Sequence, residues 1–196
     1  MMTRAQILSE ARDLFARKGY ADTSLREIAQ AVGIKTPSLY AHFTGKEALY
    51  AEVYEQVGRE HAAYFEELAN ESADLPPLER LRHLLDGIEA YYRGRPDLAE
   101  FSLRAAIAES GPVGGGLREM FLDSEGSLAD AIRDAFRAGV TDGSFRTRDE
   151  EGFVALFLVL MDGLFLHLTH YTPEVYAERH DRAWTSLSGL LTGGTS

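Results

Sequence analysis

The 196-residue sequence contains no cysteine. Disulfides, thiol catalysis and cysteine-ligated zinc are therefore excluded, and a reducing compartment is compatible with the chain. Lysine is nearly as scarce: Lys18, Lys35 and Lys46 are the only three, and none follows residue 46. No segment alternates polar and apolar residues over a useful length, so no sheet is expected. The most apolar run, Phe153 to Met161, is short for a bilayer span and leads into Asp162 and Gly163. A buried helix, with no membrane partner, is expected there. Arg4, Glu10, Arg12 and Asp13 interrupt the first residues, so they do not form a charged-then-apolar leader, and a cytoplasmic location is expected. The chain has no Gly-x-Ser-x-Gly elbow, no P-loop and no His-Glu-x-x-His. The triple glycine at 114–116 lacks the preceding strand of a nucleotide fold. His167, His170, Glu174 and His180 lie near one another in sequence without a ligand motif around them. No catalytic residue, cofactor or metal site is assigned.

What is present concentrates in residues 24–46. Ser24 followed by Glu27 has the spacing of a capping box. Leu25, Ile28, Ala29 and Val32 share one face of the short helix that this box opens. Gly33 permits the left-handed residue that ends it, and Ile34 plugs the turn. Thr36 is the expected cap of a second short helix, with Pro37 in its first position. Leu39 and Phe43, four apart, face inward. Thr36, Ser38, Tyr40, Ala41 and His42 are left pointing elsewhere, and none is acidic. Helix, glycine turn, helix, and a lysine opening a third is the build of a helix-turn-helix, whose second helix enters the major groove. Pro37 and Ala41 suit thymine methyl groups, and Thr36 and Ser38 suit a base edge or phosphate. Tyr40, His42 and Lys46 carry donors where sugar-phosphate would run. Arg26 has the fork geometry for a guanine edge. Ser24 and Lys35 complete the candidate DNA-contact set.

Residues 4–50 resemble the DNA-binding head of the TetR family of bacterial transcription regulators. The match runs through Leu14-Phe15-Ala16-Arg17-Lys18-Gly19-Tyr20, Thr23-Ser24, Ile28-Ala29, Val32-Gly33, Leu39-Tyr40-Ala41-His42-Phe43 and Lys46-Glu47-Ala48-Leu49. Ala41 departs from the bulkier residue often found there. The resemblance implies an all-α homodimer: an N-terminal three-helix helix-turn-helix head (1–48) and a larger helical ligand-binding and dimerisation body (49–196). It implies that Tyr40, His42 and Lys46 hold phosphates while Arg26, Thr36, Pro37 and Ser38 lie nearest the bases. It further implies a pseudo-palindromic double-stranded DNA operator and an unknown small-molecule effector. The expected function is that of a ligand-responsive regulator, a repressor released by that small molecule. The alternative is a helical small-molecule-binding or protein-interaction module without specific operator binding.

The net charge of −11 is unevenly spread. Residues 1–50 hold seven basic and five acidic side chains, a net +2, which leaves −13 for the remainder. A mildly basic head on an acidic body would orient the head toward a polyanion and repel the rest.

Beyond residue 50 the pattern is a series of amphipathic helices broken at Asp74-Leu75-Pro76-Pro77, at Gly94-Arg95-Pro96-Asp97 and at Gly111–Gly116, the last read as a mobile loop. Helices are expected from Lys46, after Pro77, after the Gly94–Asp97 break to about Ser110, from about Leu117 to Gly139, from about Asp149 to Tyr171 and from Pro173 to Leu191. The Asp142-Gly143-Ser144-Phe145-Arg146 turn looks like a recurring family turn, and the tail after Thr192 is expected to be disordered. Phe153, Phe157, Met161, Leu164 and Leu168 on one late helix, with Tyr176, Trp184, Leu187 and Leu191 on the next, form the expected dimer surface. Tyr92, Phe101, Phe121 and Phe165 are candidate pocket rings. Asp162, a carboxylate within an apolar run, is the candidate polar ligand contact and should have a partner.

Overall fold

A computed structural model describes residues 4–107 and 114–193, with side chains described except at 106, 107 and 114–125. Among the described residues the chain is all-helical. Its elements are α1 (Arg4–Lys18), α2 (Leu25–Val32), α3 (Thr36–Leu39), α4 (Lys46–Glu71), α5 (Pro77–Tyr92), α6 (Pro96–Ile107), α7 (Gly114–Asp142), α8 (Glu150–His170) and α9 (Pro173–Thr192). The starts follow local chemistry. Proline opens α5, α6 and α9, where its missing N–H costs nothing and its fixed φ is already helical. The Asp149 carboxylate caps α8 by accepting from the Gly152 N–H at 3.0 Å.

The chain divides into two compact units. The first comprises residues 1–61 and 94–124, so the helix-turn-helix shares its unit with the start of α4 and with α6. Its core holds Ile7, Phe15, Ile28, Leu39, Leu49 and Phe101, all nearly inaccessible. Phe15 meets Tyr50 edge-on at 5.0 Å, and Tyr50 meets Phe101 at 5.8 Å. α6 docks on α1 through polar contacts as well. The Arg104 guanidinium donates to the Ala16 carbonyl at 2.7 Å, and Arg12 pairs with Asp97 at 3.2 Å.

The second unit comprises residues 62–93 and 125–196. Leu81, Leu84 and Leu85 of α5 are buried together with Phe136 of α7 and Phe157 of α8. Arg82 ties α5 to α9, reaching Asp86 at 2.8 Å and Asp181 at 2.9 Å, while buried His180 stands 3.2 Å from Asp86. The turn at 142–146 closes this unit. Ser144 N–H donates to the Asp142 carboxylate at 2.8 Å, Phe145 N–H to the Gly139 carbonyl at 2.9 Å, and Arg146 N–H to the Leu191 carbonyl at 2.7 Å.

α7 differs from expectation at both ends. It begins at Gly114, taking in the triple glycine expected as loop, and continues past Gly139 to Asp142. Glycine weakens a helix by about 1 kcal/mol per residue but does not forbid it. Gly139 is needed for its missing side chain, because a Cβ there would overlap the Phe145 ring. Residues 111–113 of the expected loop, and 194–196 of the expected tail, lie outside the described residues.

α8 has the bounds its sequence leads one to expect. It spans 21 residues with a mean hydropathy of 2.0 over 18 of them, enough by length and composition alone to cross a membrane. Yet only 28% of that window is buried. Leu156, Val159 and Leu166 project outward at 45%, 68% and 46% exposure, joined on α9 by Leu190.

Two alanine substitutions on α7 should separate packing from propensity. Gly139→Ala overpacks against Phe145 and is expected to destabilise by about 1–3 kcal/mol. Gly126→Ala meets no atom within 4 Å and is expected to stabilise by about 0.5–1 kcal/mol. Urea unfolding of the two variants beside the parent checks both signs.

Candidate nucleic-acid interface

The interface is built outward from α2. Ser24 is its N-cap and Glu27 its third residue, and both halves of the capping box form. Ser24 Oγ accepts from the Glu27 N–H at 3.2 Å, and the Ser24 N–H donates to Glu27 Oε2 at 2.9 Å. The other carboxylate oxygen takes Lys18 Nζ at 2.6 Å. Hydrogen bonds from Lys18 and then Ser24 pull the Glu27 carboxyl down to about 2. At the far end Gly33 adopts φ 77°, and Ile34 N–H reaches back to the Ala29 carbonyl at 2.9 Å. That closure turns the chain sharply into α3.

α3 is shorter than the sequence suggests and starts differently. Lys35 is its N-cap without a side-chain bond, Thr36 is its first helical residue, and Tyr40 already follows its end. Thr36 therefore does not cap it; the boundary moves by one residue. The His42 and Phe43 N–H groups both donate to the Leu39 carbonyl at 2.9 Å, finishing the last turn. Leu39 and Phe43 are buried at 1% and 4%, as their spacing predicts. Pro37, Ser38, Tyr40, Ala41 and His42 are exposed, as are Arg26, Lys35 and Ser24. Tyr40, at 58%, is among the most exposed large side chains of the chain. Thr36 is half-buried.

Lys46 has a role that sequence reasoning missed. Its ammonium donates to the carbonyls of Tyr20 at 2.8 Å and Ala21 at 3.2 Å, and it lies 4.3 Å from the centre of the Tyr20 ring. The first turn of α4 is thereby tied to the chain between α1 and α2. An ammonium has three donors, so one remains for a phosphate. Arg4 is the second omission. It bonds the His42 carbonyl at 2.9 Å, ion-pairs with Glu52 on α4, and lies 4.4 Å from the Phe43 ring centre. No local motif could have flagged it, because its partners are 38 and 48 residues away.

The remaining candidate residues fall in different places. Tyr92 and Phe165 come together in the second unit, with ring centres 4.7 Å apart. Phe101 belongs to the core of the first unit, against Tyr50 and Tyr54. The side chain of Phe121 lies outside the described residues. Asp162 is exposed on α8, though partial desolvation by its surroundings lifts its carboxyl above the usual range. Of the nine expected dimer residues, Phe153, Phe157, Met161, Leu164, Tyr176, Leu187 and Leu191 are buried inside the protomer, while Leu168 and Trp184 are half-buried. The outward apolar row is a different set, Leu156, Val159, Leu166 and Leu190. His167, His170 and His180 do not converge, and among the described residues no group of three metal-ligating side chains gathers.

An all-helical chain that displays a four-residue helix on two buried anchors, behind a capped helix and a glycine turn, is a helix-turn-helix protein. Residues 7–53 match the family model described as bacterial regulatory proteins, tetR family. The chain is 27% identical over 187 residues to the HTH-type transcriptional repressor AcnR of Corynebacterium efficiens, covering 94% of this chain and 92% of that one. Its fold is shared with the TetR-family regulator PfmR of Thermus thermophilus, at TM-score 0.70 and 24% identity over 94% of this chain and 96% of that one. It is shared too with AibR, solved with isovaleryl coenzyme A and operator DNA, at TM-score 0.66 and 24% identity over 95% and 96%. Residues 7–53 therefore carry the sequence pattern of the tetR family of bacterial regulatory proteins, and the chain as a whole is similar to an HTH-type transcriptional repressor and shares its fold with TetR-family structures.

The depressed carboxyl of Glu27 makes the head acid-sensitive. Its folded pKa of about 2 lies below the ordinary 4.5, so its contribution is complete above the ordinary value and disappears as pH falls through the folded one. Glu27→Gln should be less stable than the parent at pH 7, and the gap should close between about pH 5 and pH 2. Parallel urea titrations at pH 7 and pH 3 measure that gap.

Proposed function

We propose that this chain is a homodimeric, ligand-released transcriptional repressor acting in the cytoplasm. Residues 1–48 serve as the DNA-binding domain and residues 49–196 as the regulatory and dimerisation domain. The observation that carries this reading is the exposed row Pro37, Ser38, Tyr40, Ala41 and His42, held outward by buried Leu39 and Phe43. Small, hydroxylated and ring-bearing side chains of this kind meet base edges and methyl groups in a major groove. Tyr40, His42 and the free donor of Lys46 hold phosphates, which fix register and orientation. Arg26 reads a base edge. Ser24, whose hydroxyl is committed to the cap, and Lys35, at the head of α3, flank the contact. Repression is supported by the likeness to AcnR along nearly the whole of both chains.

One recognition helix this short makes few contacts, so two protomers read successive half-sites of a pseudo-palindrome. The outward apolar row of α8 and α9 supports pairing at that face. A bilayer is the poorer cover for it, because Asp162 sits near the middle of α8 and is exposed. A carboxylate at a bilayer centre costs about 2.5–3.5 kcal/mol by the most lenient scale. The ring pair Tyr92 and Phe165 of the second unit is the proposed effector contact, and the AibR complex with an acyl coenzyme A supports a small-molecule effector. The effector shifts DNA affinity only by its differential affinity for two states, typically about 1–3 kcal/mol.

Footprinting the purified protein on the DNA upstream of its own gene tests the reading; a protected inverted repeat is expected, and uniform weak coverage at every salt would refute it. Tyr40→Phe and Lys46→Ala should weaken binding to all duplexes, and the lysine variant should flatten the salt dependence by about 0.9 per lost phosphate contact. Arg26→Ala should instead cost about 1–3 kcal/mol at one base pair and relax preference there. Val159→Asp should leave α8 folded and convert the dimer to a monomer in sedimentation; an unchanged dimer would move the interface elsewhere.

A further inference from the structure

The end of the recognition turn is held by a residue outside the helix-turn-helix. The Arg4 guanidinium uses separate nitrogens on separate partners. Nε donates to Glu52 Oε1 at 2.7 Å, Nη2 pairs with Glu52 Oε2, and Nη1 donates to the His42 carbonyl at 2.9 Å. The fork is thus bidentate on a carboxylate, with one further donor fixed in direction by the same plane. Its flat face covers the Phe43 ring at 4.4 Å. Glu52 is the less exposed partner, with a side chain 26% accessible against 49% for Arg4. The carboxylate on α4 is therefore the anchor and the arginine the bridge.

The bridged carbonyl matters. His42 is exposed, lies in the turn that ends the α3 segment, and follows Tyr40 and Ala41. A helix of four residues has too few internal bonds to fix its own axis. Leu39 and Phe43 set its depth, but two apolar contacts leave rotation about their line. A hydrogen bond from a fixed donor to the His42 carbonyl removes that rotation. From this geometry we infer that Arg4 is a positioning residue for DNA recognition: clamped by Glu52, it fixes the angle at which Tyr40 and His42 are presented. The inference rests on the reading that the exposed side of α3 meets DNA. It assigns Arg4 no contact with DNA, since its charge is already matched by Glu52.

The test uses the full chain, a fluorescein-labelled duplex carrying the footprinted operator, and a scrambled duplex of equal length, titrated over a series of salt concentrations. Arg4→Gln is expected to weaken operator binding roughly five- to tenfold, the loss expected of a half-exposed ion pair with one added carbonyl bond. Its salt slope should match the parent's. Glu52→Gln should weaken operator binding to a similar degree, although it removes a negative charge, which simple attraction to DNA would make favourable. The double variant should be no worse than either single one. Arg4→Lys, which keeps the charge but not the fork, should restore less than half of the lost affinity. Without DNA, hydrogen exchange of the His42 and Phe43 amides should quicken in both single variants, a readout available even if binding is lost. A salt slope flattened by about 0.9 in Arg4→Gln would make Arg4 a phosphate contact and overturn the proposal. Tighter binding by Glu52→Gln, or unchanged amide exchange, would overturn it too. A parent protein that ignores operator sequence would instead sink the underlying reading of α3.

Discussion

The burial of Leu39 and Phe43 is the constraint on which the DNA-facing surface depends. α3 comprises Thr36–Leu39, a single turn that would not persist in water alone. Two side chains four residues apart, each almost inaccessible, anchor it, and it packs against α2. Every outward residue on the turn takes its direction from that anchorage. The Arg4 tie then acts on the closing carbonyl of the turn, and the Lys46 tie joins the start of α4 to the chain between α1 and α2. Apolar contacts set depth, and directional polar contacts set angle.

The same division of labour recurs in the rest of the chain. In the first unit, Phe15, Tyr50 and Phe101 supply buried area, while Arg104 meets an α1 carbonyl at the edge of that area. In the second unit a layer of leucine and phenylalanine is trimmed by the Arg82, Asp86, His180 and Asp181 group. Exposed ion pairs of this sort add little stability, typically below about 1 kcal/mol each. Their use lies in choosing one arrangement among several that bury the same area.

How much of this could be read in the sequence depended on how far apart the partners lie. Ser24 and Glu27 are three residues apart, and the box they form was legible from spacing alone. Gly33 and the Leu39–Phe43 pair were legible for the same reason, as was the proline start of α9, whereas Pro77 and Pro96 read as breaks and in fact open α5 and α6. The Arg4 bridge was not, because His42 and Glu52 come near it only in the folded chain. Gly139 misled as a helix end because its absent side chain serves Phe145 and not a turn. α8 misled in another way. It is apolar nearly all round, so no polar face orients it. Four residues of α8 expected at the dimer surface, Phe153, Phe157, Met161 and Leu164, are buried, and its exposed apolar residues fall on other positions.

The confinement of every lysine to the first 46 residues has a chemical consequence. Any reaction that caps ε-amino groups, whether by a laboratory acylating reagent or a metabolic acetyl donor, would discharge the recognition end and leave the acidic remainder untouched at its side chains. The three amines would not respond alike. Lys18 is engaged by Glu27 and Lys46 by two carbonyls, whereas Lys35 is exposed at the head of the recognition turn. Acylation would reach that amine first, at the place where losing a positive charge matters most to a polyanion.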